Sequence, residues 1–305
     1  MKTSHIGLIG CGRWGQFILR DLRNLGCEVS VLVKSEMSIE RAKQNKASRI
    51  VASLAEMPKV DGFVIATPTV THGEILEQLL RFDKPIFVEK PLTNTVASAQ
   101  KIANLGAGQV FVMDKWRYHA GILALSALAR SGELGTVLGL NTTRIGWGNP
   151  HLDTDAIWIL APHDLSIALE ILGHIPEPRA AVAEVASEAV ALRALLGQKP
   201  WLSLEVSARS QNWKRRFVLH CELGYAELED GYDDFITIYR DQGNPRQQSP
   251  KAEQRFFGKN MPLLAELEEF VGFLEGGAAP KSGVQEGLLV VQTIAKLRAL
   301  AGLEV

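Results

Sequence analysis

The chain has 305 residues, of which 46% are hydrophobic and 22% are charged, and its formal net charge is −1. This balance is ordinary for a globular protein and provides no basic surface of the kind that binds nucleic acid or an anionic membrane. No apolar run approaches the roughly 18 residues that a membrane-spanning helix requires. The length predicts two domains, each large enough to bury its own core.

The cysteines argue against several kinds of site. Cys11, Cys27 and Cys221 are far apart in the sequence and form neither a CxxC pair nor the spacing of a zinc site. This usage is typical of a reducing compartment, so we expect a cytoplasmic protein with no disulfide framework and no bound metal. The apolar run at residues 6–9 is too short to be the core of a signal peptide.

The first third of the chain alternates between strand and helix patterns. Strands are predicted at residues 6–9, 27–33, 62–66, 85–88 and 110–113. Helices are predicted at residues 17–25, 53–56, 71–80 and 95–105, and the second and third of these begin with capping boxes. Such alternation is typical of βαβ units, so this region is predicted to be a Rossmann domain with a parallel, doubly wound sheet.

A glycine-rich turn, GCGRWG, joins the first strand to the first helix. Gly10 permits the tight turn, Gly12 lets the backbone approach a pyrophosphate, and Gly15 lets the helix pack close to the strand. The start of the helix then offers N–H groups and a partial positive charge to that pyrophosphate. The predicted cofactor-binding residues of this turn are Gly10, Gly12, Arg13, Trp14 and Gly15.

The end of the second strand bears on the choice between NAD and NADP. NAD-binding versions of this fold place an acidic residue there, on the ribose 2′-hydroxyl. Here Lys34 occupies that position, where it would attract a 2′-phosphate, and Ser35 follows it with a hydroxyl that can donate to the same group. These residues favour NADP. Glu36 favours NAD instead if the turn is one or two residues longer.

The pattern changes after about residue 118. Helices are predicted at residues 121–129, 156–172, 262–274 and 284–301, with Pro162 interrupting the second of them. Strands are predicted at residues 137–145, 180–186, 202–208, 217–223, 225–229 and 235–239. Successive strands with few helices between them indicate a mostly antiparallel sheet. We therefore expect a dinucleotide-binding domain at residues 1–118 and an α+β domain for substrate binding and oligomerisation at residues 119–305.

Four motifs, taken in order, resemble the GFO/IDH/MocA oxidoreductase family, which includes glucose–fructose oxidoreductase and inositol dehydrogenase. They are the glycine-rich turn, ATPTVTH at residues 66–72, EKPL at residues 89–92, and SGELG at residues 131–135 followed by His163. The EKP motif at that distance from the glycines is the specific element. The resemblance implies a Rossmann domain followed by an open-faced sheet, and subunits that form homodimers or homotetramers through that face.

The resemblance also implies roles for particular residues. Lys90 of the EKP motif is expected to contact the nicotinamide ribose and the substrate, and His163 is expected to carry out acid–base chemistry. These types suit the reaction, because alcohol oxidation needs a base for the hydroxyl proton and a cation favours the alkoxide. The residues of the two turns that should border the cofactor are Thr67, Pro68, His72, Glu89 and Lys90.

One position departs from the family pattern. The family places an aspartate four residues before the histidine, and this chain has Ile159 there. Because residues i and i+4 share a helix face, that aspartate would lie one turn below His163 and stabilise its imidazolium. Ile159 has no polar group, so it can neither hold the tautomer of His163 nor stabilise its imidazolium. Three alternatives stay open: Asp155 or another group substitutes for the aspartate, the reaction differs, or turnover is lost.

The segment at residues 147–173 is most similar to family members that act on sugars or nucleotide sugars. The resemblance places substrate contacts there and at the junction after the last Rossmann strand. The predicted substrate-binding residues are Arg117, Tyr118, Asp155, Trp158 and Asp164.

The predicted function is hydride transfer between NAD(P) and a hydroxyl/keto pair of a sugar, cyclitol or nucleotide sugar. Two alternatives stay open. The first is an enzyme whose tightly bound cofactor is recycled within each turnover. The second is a non-catalytic NAD(P)-binding sensor or scaffold that kept the fold, an interpretation that Ile159 supports and that the presence of both Lys90 and His163 opposes.

Overall fold

A computed structural model describes residues 3–149, 153–241 and 251–304. The chain forms two compact units, Met1–Lys115 with Met261–Val291, and Trp116–Asn260 with Gln292–Val305. The first unit thus includes a segment from near the C-terminus, which a single boundary at residue 118 does not assign to it. The last division between the units falls inside the final helix.

The first unit is built on a parallel sheet. Its strands are β1 (His5–Ile9), β2 (Glu28–Leu32), β3 (Arg49–Val51), β4 (Gly62–Ile65), β5 (Ile86–Glu89) and β6 (Val110–Met113). Within the described residues their order is β3-β2-β1-β4-β5-β6, and each neighbouring pair is parallel. This confirms the predicted Rossmann sheet. The order reverses between β1 and β4, which is where such folds bind ligands.

Helices join these strands. They are α1 (Gly15–Asn24), α2 (Glu36–Gln44), α3 (His72–Leu80) and α4 (Val96–Leu105). The amphipathic pattern of α1 buries Ile18, Leu19 and Leu22 completely against the sheet. The sequence pattern did not predict α2, because its 9 residues are mostly polar and bury only Ala42.

The predicted capping box at the start of α3 is wrong. A 3-10 turn at Thr69–Thr71 leads directly into the helix, and Thr71 already has helical backbone angles. Its hydroxyl donates to the carbonyl oxygen of Pro68 at 2.7 Å instead of accepting from a backbone N–H group. The preceding turn therefore takes over the role that the capping box was expected to fill.

The second unit is built on a mostly antiparallel sheet. Its elements are α5 (Ala120–Ser131), β7 (Val137–Trp147), α6 (Ala156–Leu172), β8 (Pro178–Val185), β9 (Ala189–Gly197), β10 (Trp201–Ser207), β11 (Arg209–Cys221), β12 (Gly224–Leu228), β13 (Phe235–Arg240) and β14 (Lys251–Phe256). In the part of the chain that the structure describes, the order is β14-β13-β12-β11-β7-β10-β9-β8. Only the β7–β10 pair is parallel among these. This confirms the predicted α+β class.

Helices α5 and α6 pack together and cover one face of this sheet. The centre of that face is apolar, with Leu140, Leu202 and Leu219 fully buried on successive strands. Helix α6 continues through Pro162, although proline removes the hydrogen bond to the carbonyl of Trp158. Because α6 is buried on nearly every side, packing holds the helix together where its own hydrogen bonding is interrupted.

Two helices end the chain, α7 (Pro262–Leu274) and α8 (Val284–Leu300). Helix α7 belongs to the first unit, where Phe270 stacks on Phe87 of β5 with ring centroids 4.9 Å apart. Phe273 meets Phe111 of β6 edge to face at 5.1 Å. These aromatic pairs explain why a segment so late in the sequence completes the core of the first unit.

Candidate active site

The carboxyl ends of three neighbouring strands bring the predicted cofactor residues of the first unit to one edge of the sheet. Strand β1 lies between β2 and β4, and β4 pairs with β5. The glycine-rich turn follows β1, Thr67 and Pro68 follow β4, and Lys90 follows β5. In parallel sheets ligands bind outside these strand ends, at the point where the strand order reverses.

The three glycines of the turn differ in what surrounds them. Gly10 has a φ of +93°, and a Cβ there would lie 2.7 Å from the carbonyl oxygen of Ala66. At Gly15 a Cβ would lie 2.8 Å from the carbonyl oxygen of Gly10. At Gly12 it would meet no atom within 4 Å. Gly10 and Gly15 are therefore required by the fold itself, whereas the space beside Gly12 is open to a ligand.

The start of α1 adjoins that open space. Trp14 is the N-cap residue, and no side chain caps the helix by a hydrogen bond. Arg13 is exposed on the turn, and its carbonyl oxygen accepts from the side chain of Gln16 at 3.0 Å. An uncapped helix start with a guanidinium beside it suits an anionic group. A pyrophosphate therefore fits the residues of this turn.

His72 connects the turns after β4 and β5. It is fully buried, with Nδ1 2.9 Å from the carbonyl oxygen of Pro91 and Nε2 3.1 Å from that of Thr67. A neutral imidazole can donate to only one of these carbonyls, whereas an imidazolium can donate to both. The side chain thus fixes the EKP turn against the turn that follows β4, which is a positioning role.

Glu89 and Trp14 join the EKP motif to the glycine-rich turn. The Trp14 side chain lies near the Glu89 carboxylate and favours its charged form. Burial raises the pKa of Glu89, and the charges of Lys90 and Lys115 oppose that rise. The Lys115 ammonium lies 4.0 Å from the centroid of the Trp14 ring, a cation–π contact. Two ammonium groups are therefore close to a carboxylate at the sheet edge.

Lys34 and Ser35 lie where β2 passes into α2. Both are exposed. Ser35 is the N-cap of α2, and its Oγ accepts from the backbone N–H of Ser38 at 3.3 Å. Glu36, the residue that would favour NAD, is the first residue of the helix. This strand end neighbours β1, so the two exposed side chains stand beside the glycine-rich turn.

In the second unit, α6 carries His163, Ile159 and Asp155. His163 is partly exposed and Ile159, one turn earlier, is buried. Asp155 is the N-cap of the helix, where Oδ1 accepts from the backbone N–H groups of Ile157 and Trp158 at 3.0 and 3.2 Å. Its Oδ2 accepts from Arg298 at 2.5 Å. The Asp155 carboxylate is thus already used in capping the helix and in an ion pair.

Asp164 lies on another side of the same helix. It is completely buried, and its Oδ2 accepts from Nε of Arg144 on β7 at 2.6 Å. Burial raises the pKa of Asp164, and the Arg144 charge opposes the rise. In the structure this carboxylate pairs with Arg144. Direct contact between Asp164 and the substrate stays a prediction.

The other predicted substrate residues are also largely buried. Arg117 is 8% exposed and its Nε lies 3.4 Å from Oε2 of Glu170 on α6. Tyr118 is 8% exposed and its carbonyl oxygen accepts from Asn260 at 2.7 Å. Trp158 is 7% exposed, with the Arg298 guanidinium 5.9 Å from its ring centroid. A substrate role for these residues stays a prediction.

The sequence interpretation missed Lys115, Arg144 and Arg215. Lys115 is the second residue after the end of β6, and the rule that strand ends form the site would have found it. Arg144 lies on the same face of β7 as Leu140 and Thr142, because the three are spaced two residues apart, and this spacing marked it as a buried cation. Arg215 lay in a basic cluster that resembled a solvated sheet edge.

Two further findings concern metal binding and membrane-spanning helices. Among the described residues, no group of three His, Cys, Asp or Glu side chains is arranged to hold a metal ion. Across the same residues, no helix is both long and apolar enough to cross a membrane.

Comparison with protein families extends the motif resemblance. The profile of the GFO/IDH/MocA oxidoreductase family, NAD-binding Rossmann fold, matches residues 4–110. This match confirms the resemblance that the glycine-rich turn and the EKP motif indicated. It covers most of the first unit.

Alignments with individual relatives cover more of the chain than the family profile does. The chain is 34% identical over 174 residues to inositol 2-dehydrogenase 1 of Paenarthrobacter aurescens, covering 51% of each protein. It is 24% identical over 313 residues to inositol 2-dehydrogenase of Rhizobium meliloti, covering 94% of this chain and 93% of that protein. The alignment thus spans about half the length of the more similar relatives.

Solved structures share the fold over nearly the whole chain. UDP-N-acetylglucosamine 3-dehydrogenase GnnA from Acidithiobacillus ferrooxidans has a TM-score of 0.84 at 23% identity, covering 98% of both chains. Levoglucosan dehydrogenase in complex with NADH and levoglucosan has a TM-score of 0.86 at 15% identity, covering 99% of this chain and 98% of that chain. At these identities the likeness establishes the fold alone.

Proposed function

We propose that this chain is an NAD(P)-dependent oxidoreductase that transfers hydride between nicotinamide and a hydroxyl/keto pair of a sugar, cyclitol or nucleotide sugar. The observation that carries the proposal is the edge of the parallel sheet where β1, β4 and β5 end. There the glycine-rich turn, Thr67 and Lys90 follow adjacent strands. The names of the inositol and levoglucosan dehydrogenases to which the chain is similar support the substrate class.

The first unit is proposed to hold the cofactor. The open space at Gly12 and the uncapped start of α1 fit a pyrophosphate. When bound, the nicotinamide cofactor accepts or supplies the hydride. Lys34 and Ser35 are exposed beside this turn, so NADP is proposed to bind more tightly than NAD. The other proposed cofactor contacts are Arg13, Trp14, Pro68, His72, Glu89 and Lys90.

His163 and Lys90 are proposed as the catalytic residues. His163 takes the hydroxyl proton during oxidation and returns it during reduction, which its partly exposed ring allows. The Lys90 ammonium favours the alkoxide that forms as the proton leaves. Ile159 provides no carboxylate one turn away from His163. The Asp155 carboxylate caps α6 and pairs with Arg298. Groups other than the family's aspartate are therefore proposed to stabilise the imidazolium.

Variant kinetics test this assignment. Purified protein is assayed for NAD(P)H formation with sugars, cyclitols and nucleotide sugars. His163→Ala should lower kcat by roughly 10²–10⁴, the usual contribution of a positioned acid–base group. Lys90→Ala should also act mainly on turnover. Ile159→Asp should leave activity unchanged or raise it. His174→Ala is the matched control, because His174 is exposed just beyond the end of α6.

The same assay separates the alternatives. Full activity in His163→Ala would overturn the assignment of the base. A protein that binds cofactor well but converts none of these compounds would support the sensor or scaffold alternative, which Ile159 favours. Nicotinamide that stays bound through dialysis and never exchanges during turnover would support the enzyme with a recycled cofactor.

The chain is further proposed to work as a homodimer or homotetramer. An aromatic row crosses the sheet face opposite α5 and α6, formed by Trp201, His220, Tyr225 and Tyr239 with successive centroids 5.1, 6.1 and 4.5 Å apart. Such a row suits association with a second subunit. Residues 1–118 are proposed to bind the cofactor and residues 119–305 the substrate and the partner subunit. The three buried free thiols support a reducing, cytoplasmic location.

A further inference from the structure

Two arginines stand directly opposite each other in the second unit. Arg144 of β7 and Arg215 of β11 are cross-strand partners, so their side chains share one face of the sheet. Like charges placed opposite each other destabilise a sheet. Asp164 neutralises Arg144 through a 2.6 Å ion pair. Within the described part of the chain Arg215 forms no ion pair with a carboxylate, so the pair of guanidinium groups carries an excess positive charge.

Arg215 is held in place by other contacts. Its Nη1 donates to the carbonyl oxygens of Ile145 and Lys214 at 2.6 and 2.8 Å. Its guanidinium lies 4.2 Å from the centroid of the Trp213 ring. These contacts orient the side chain while leaving Nε and Nη2 available. Half-burial and the neighbouring Arg144 charge lower the pKa of Arg215 to about 10, which an anion beside it would reverse.

Arg144 lies beside Arg215 on the neighbouring strand and is buried more deeply. It is 2% exposed, and its guanidinium lies 4.5 Å from the centroid of the Trp116 ring. Nη2 of Arg144 is buried and has no hydrogen-bond partner among the described residues. A buried donor without a partner is unusual and indicates a group or a water that the protein itself does not supply. Asp164, which holds Arg144, directly follows His163 on α6.

We propose that Arg215, supported by Arg144, forms an anion-binding subsite beside α6, the helix that carries His163, and that this subsite takes the carboxylate of an acidic sugar or polyhydroxy acid. The proposal rests on the proposed function, because it names the substrate class of the same site. The charges of Arg144, Arg215 and Asp164 sum to +1. Asp230 keeps its negative charge and acts on Arg215 from beyond ion-pair distance, while its Oδ1 accepts from the backbone N–H of Tyr232 at 2.8 Å. The direct carboxylate partner of Arg215 is therefore the one that the substrate would supply. A planar guanidinium matches a carboxylate through two parallel hydrogen bonds.

Isothermal titration calorimetry of small acids into the NADP⁺-loaded protein tests the subsite. The probes are D-glucuronate, D-galacturonate and D-gluconate, each compared with its neutral counterpart D-glucose, D-galactose or D-sorbitol. We expect at least one acid to bind at least tenfold more tightly than its neutral counterpart. Arg215→Gln should remove that advantage and leave the neutral compound unchanged. Arg215→Lys, which keeps the charge but loses the fork, should give an intermediate affinity and guards against misfolding of the first variant.

Arg209→Gln is the matched control, since Arg209 is an exposed arginine on the same strand that pairs with Glu184. It should bind the acids as the parent does. Equal binding of acids and neutral compounds by the parent, or no effect of Arg215→Gln, would overturn the subsite. Tighter Arg215-dependent binding of D-galactose 1-phosphate than of D-galacturonate would overturn the carboxylate assignment.

The outcomes also separate this proposal from the proposed function. Oxidation of a neutral sugar that needs His163, with no preference for acids, would overturn the subsite and leave the dehydrogenase intact. Binding of an acid that needs Arg215, without any NAD(P)H formation, would support the subsite and count against the dehydrogenase.

Discussion

Asp155 shows how one residue changes the interpretation of a site. On sequence alone it was a candidate to replace the missing carboxylate at Ile159. In the structure, however, it caps α6 and pairs with Arg298. An N-cap carboxylate contributes about 1 kcal/mol to stability, so Asp155 has a structural role that explains its presence. The imidazole of His163 must then be oriented by groups other than a carboxylate one or two turns earlier on α6.

Lys34 is the residue on which the proposed preference for NADP depends. We expect the parent protein to bind NADPH more tightly than NADH, because the exposed ammonium at the end of β2 attracts a 2′-phosphate. Lys34→Asp should abolish the preference, changing the ratio of affinities by about 10- to 150-fold, since hydrogen bonds to charged groups contribute about 1.5–3 kcal/mol. Fluorescence titration of both cofactors measures the ratio.

Lys43→Asp serves as the control for that experiment. Lys43 is exposed in the last turn of α2, away from the end of β2. Its replacement should leave the ratio of the two affinities unchanged. Equal affinities for the two cofactors in the parent would contradict the prediction, as would a preference that survives in Lys34→Asp.

At the scale of elements, the turn between β1 and α1 separates folding from binding. Gly12→Val should leave the melting temperature of the ligand-free protein unchanged, because no atom lies within 4 Å of the new Cβ. It should remove the rise in melting temperature that cofactor produces by mass action, because the side chain occupies the space where the pyrophosphate is proposed to bind. Thermal melts with and without cofactor check both statements.

Gly15→Ala is the contrasting variant for this turn. Its Cβ would lie 2.8 Å from the carbonyl oxygen of Gly10, so it should destabilise the ligand-free protein by about 1–3 kcal/mol. A cofactor-induced rise in Gly12→Val equal to that of the parent would show that the glycine-rich turn is not the binding site.

At the scale of the whole molecule, the aromatic row predicts the state of association. Trp201 reaches His220 across Gly139, because the strand between them has no side chain at that position. Tyr225→Glu places a charge inside the row, so it should convert the proposed dimer or tetramer to monomer while the protein stays folded. Size-exclusion chromatography with light scattering measures the mass, and circular dichroism checks the fold.

Leu105→Glu is the control for this prediction, since Leu105 is an exposed apolar residue at the end of α4 in the other unit. It should leave the mass unchanged. A parent protein that is monomeric at micromolar concentration would contradict the proposed association, and so would a Tyr225→Glu protein with the parent's mass.

The sequence by itself determined the class of the first unit and indicated the sheet edge at which the cofactor is proposed to bind. Glycine spacing, apolar runs and the EKP motif act locally, so β1, β6 and α6 could be predicted almost to the residue. Short or polar elements such as β3 and α2 carry too little apolar pattern to be predicted, because long-range packing stabilises them. Long-range packing also explains why α6 continues through Pro162, a residue at which sequence rules predict an interrupted helix.

Only the tertiary structure decided which polar groups meet. Arg144, Asp164 and Arg215 come from two strands and a helix that are far apart in the sequence, so no local pattern relates their charges. The assignment of residues 261–291 to the first unit likewise depends on Phe270 reaching Phe87. Burial and charge pairing are properties of the folded arrangement, which is why the candidate site could be located from the sequence but its electrostatics could not.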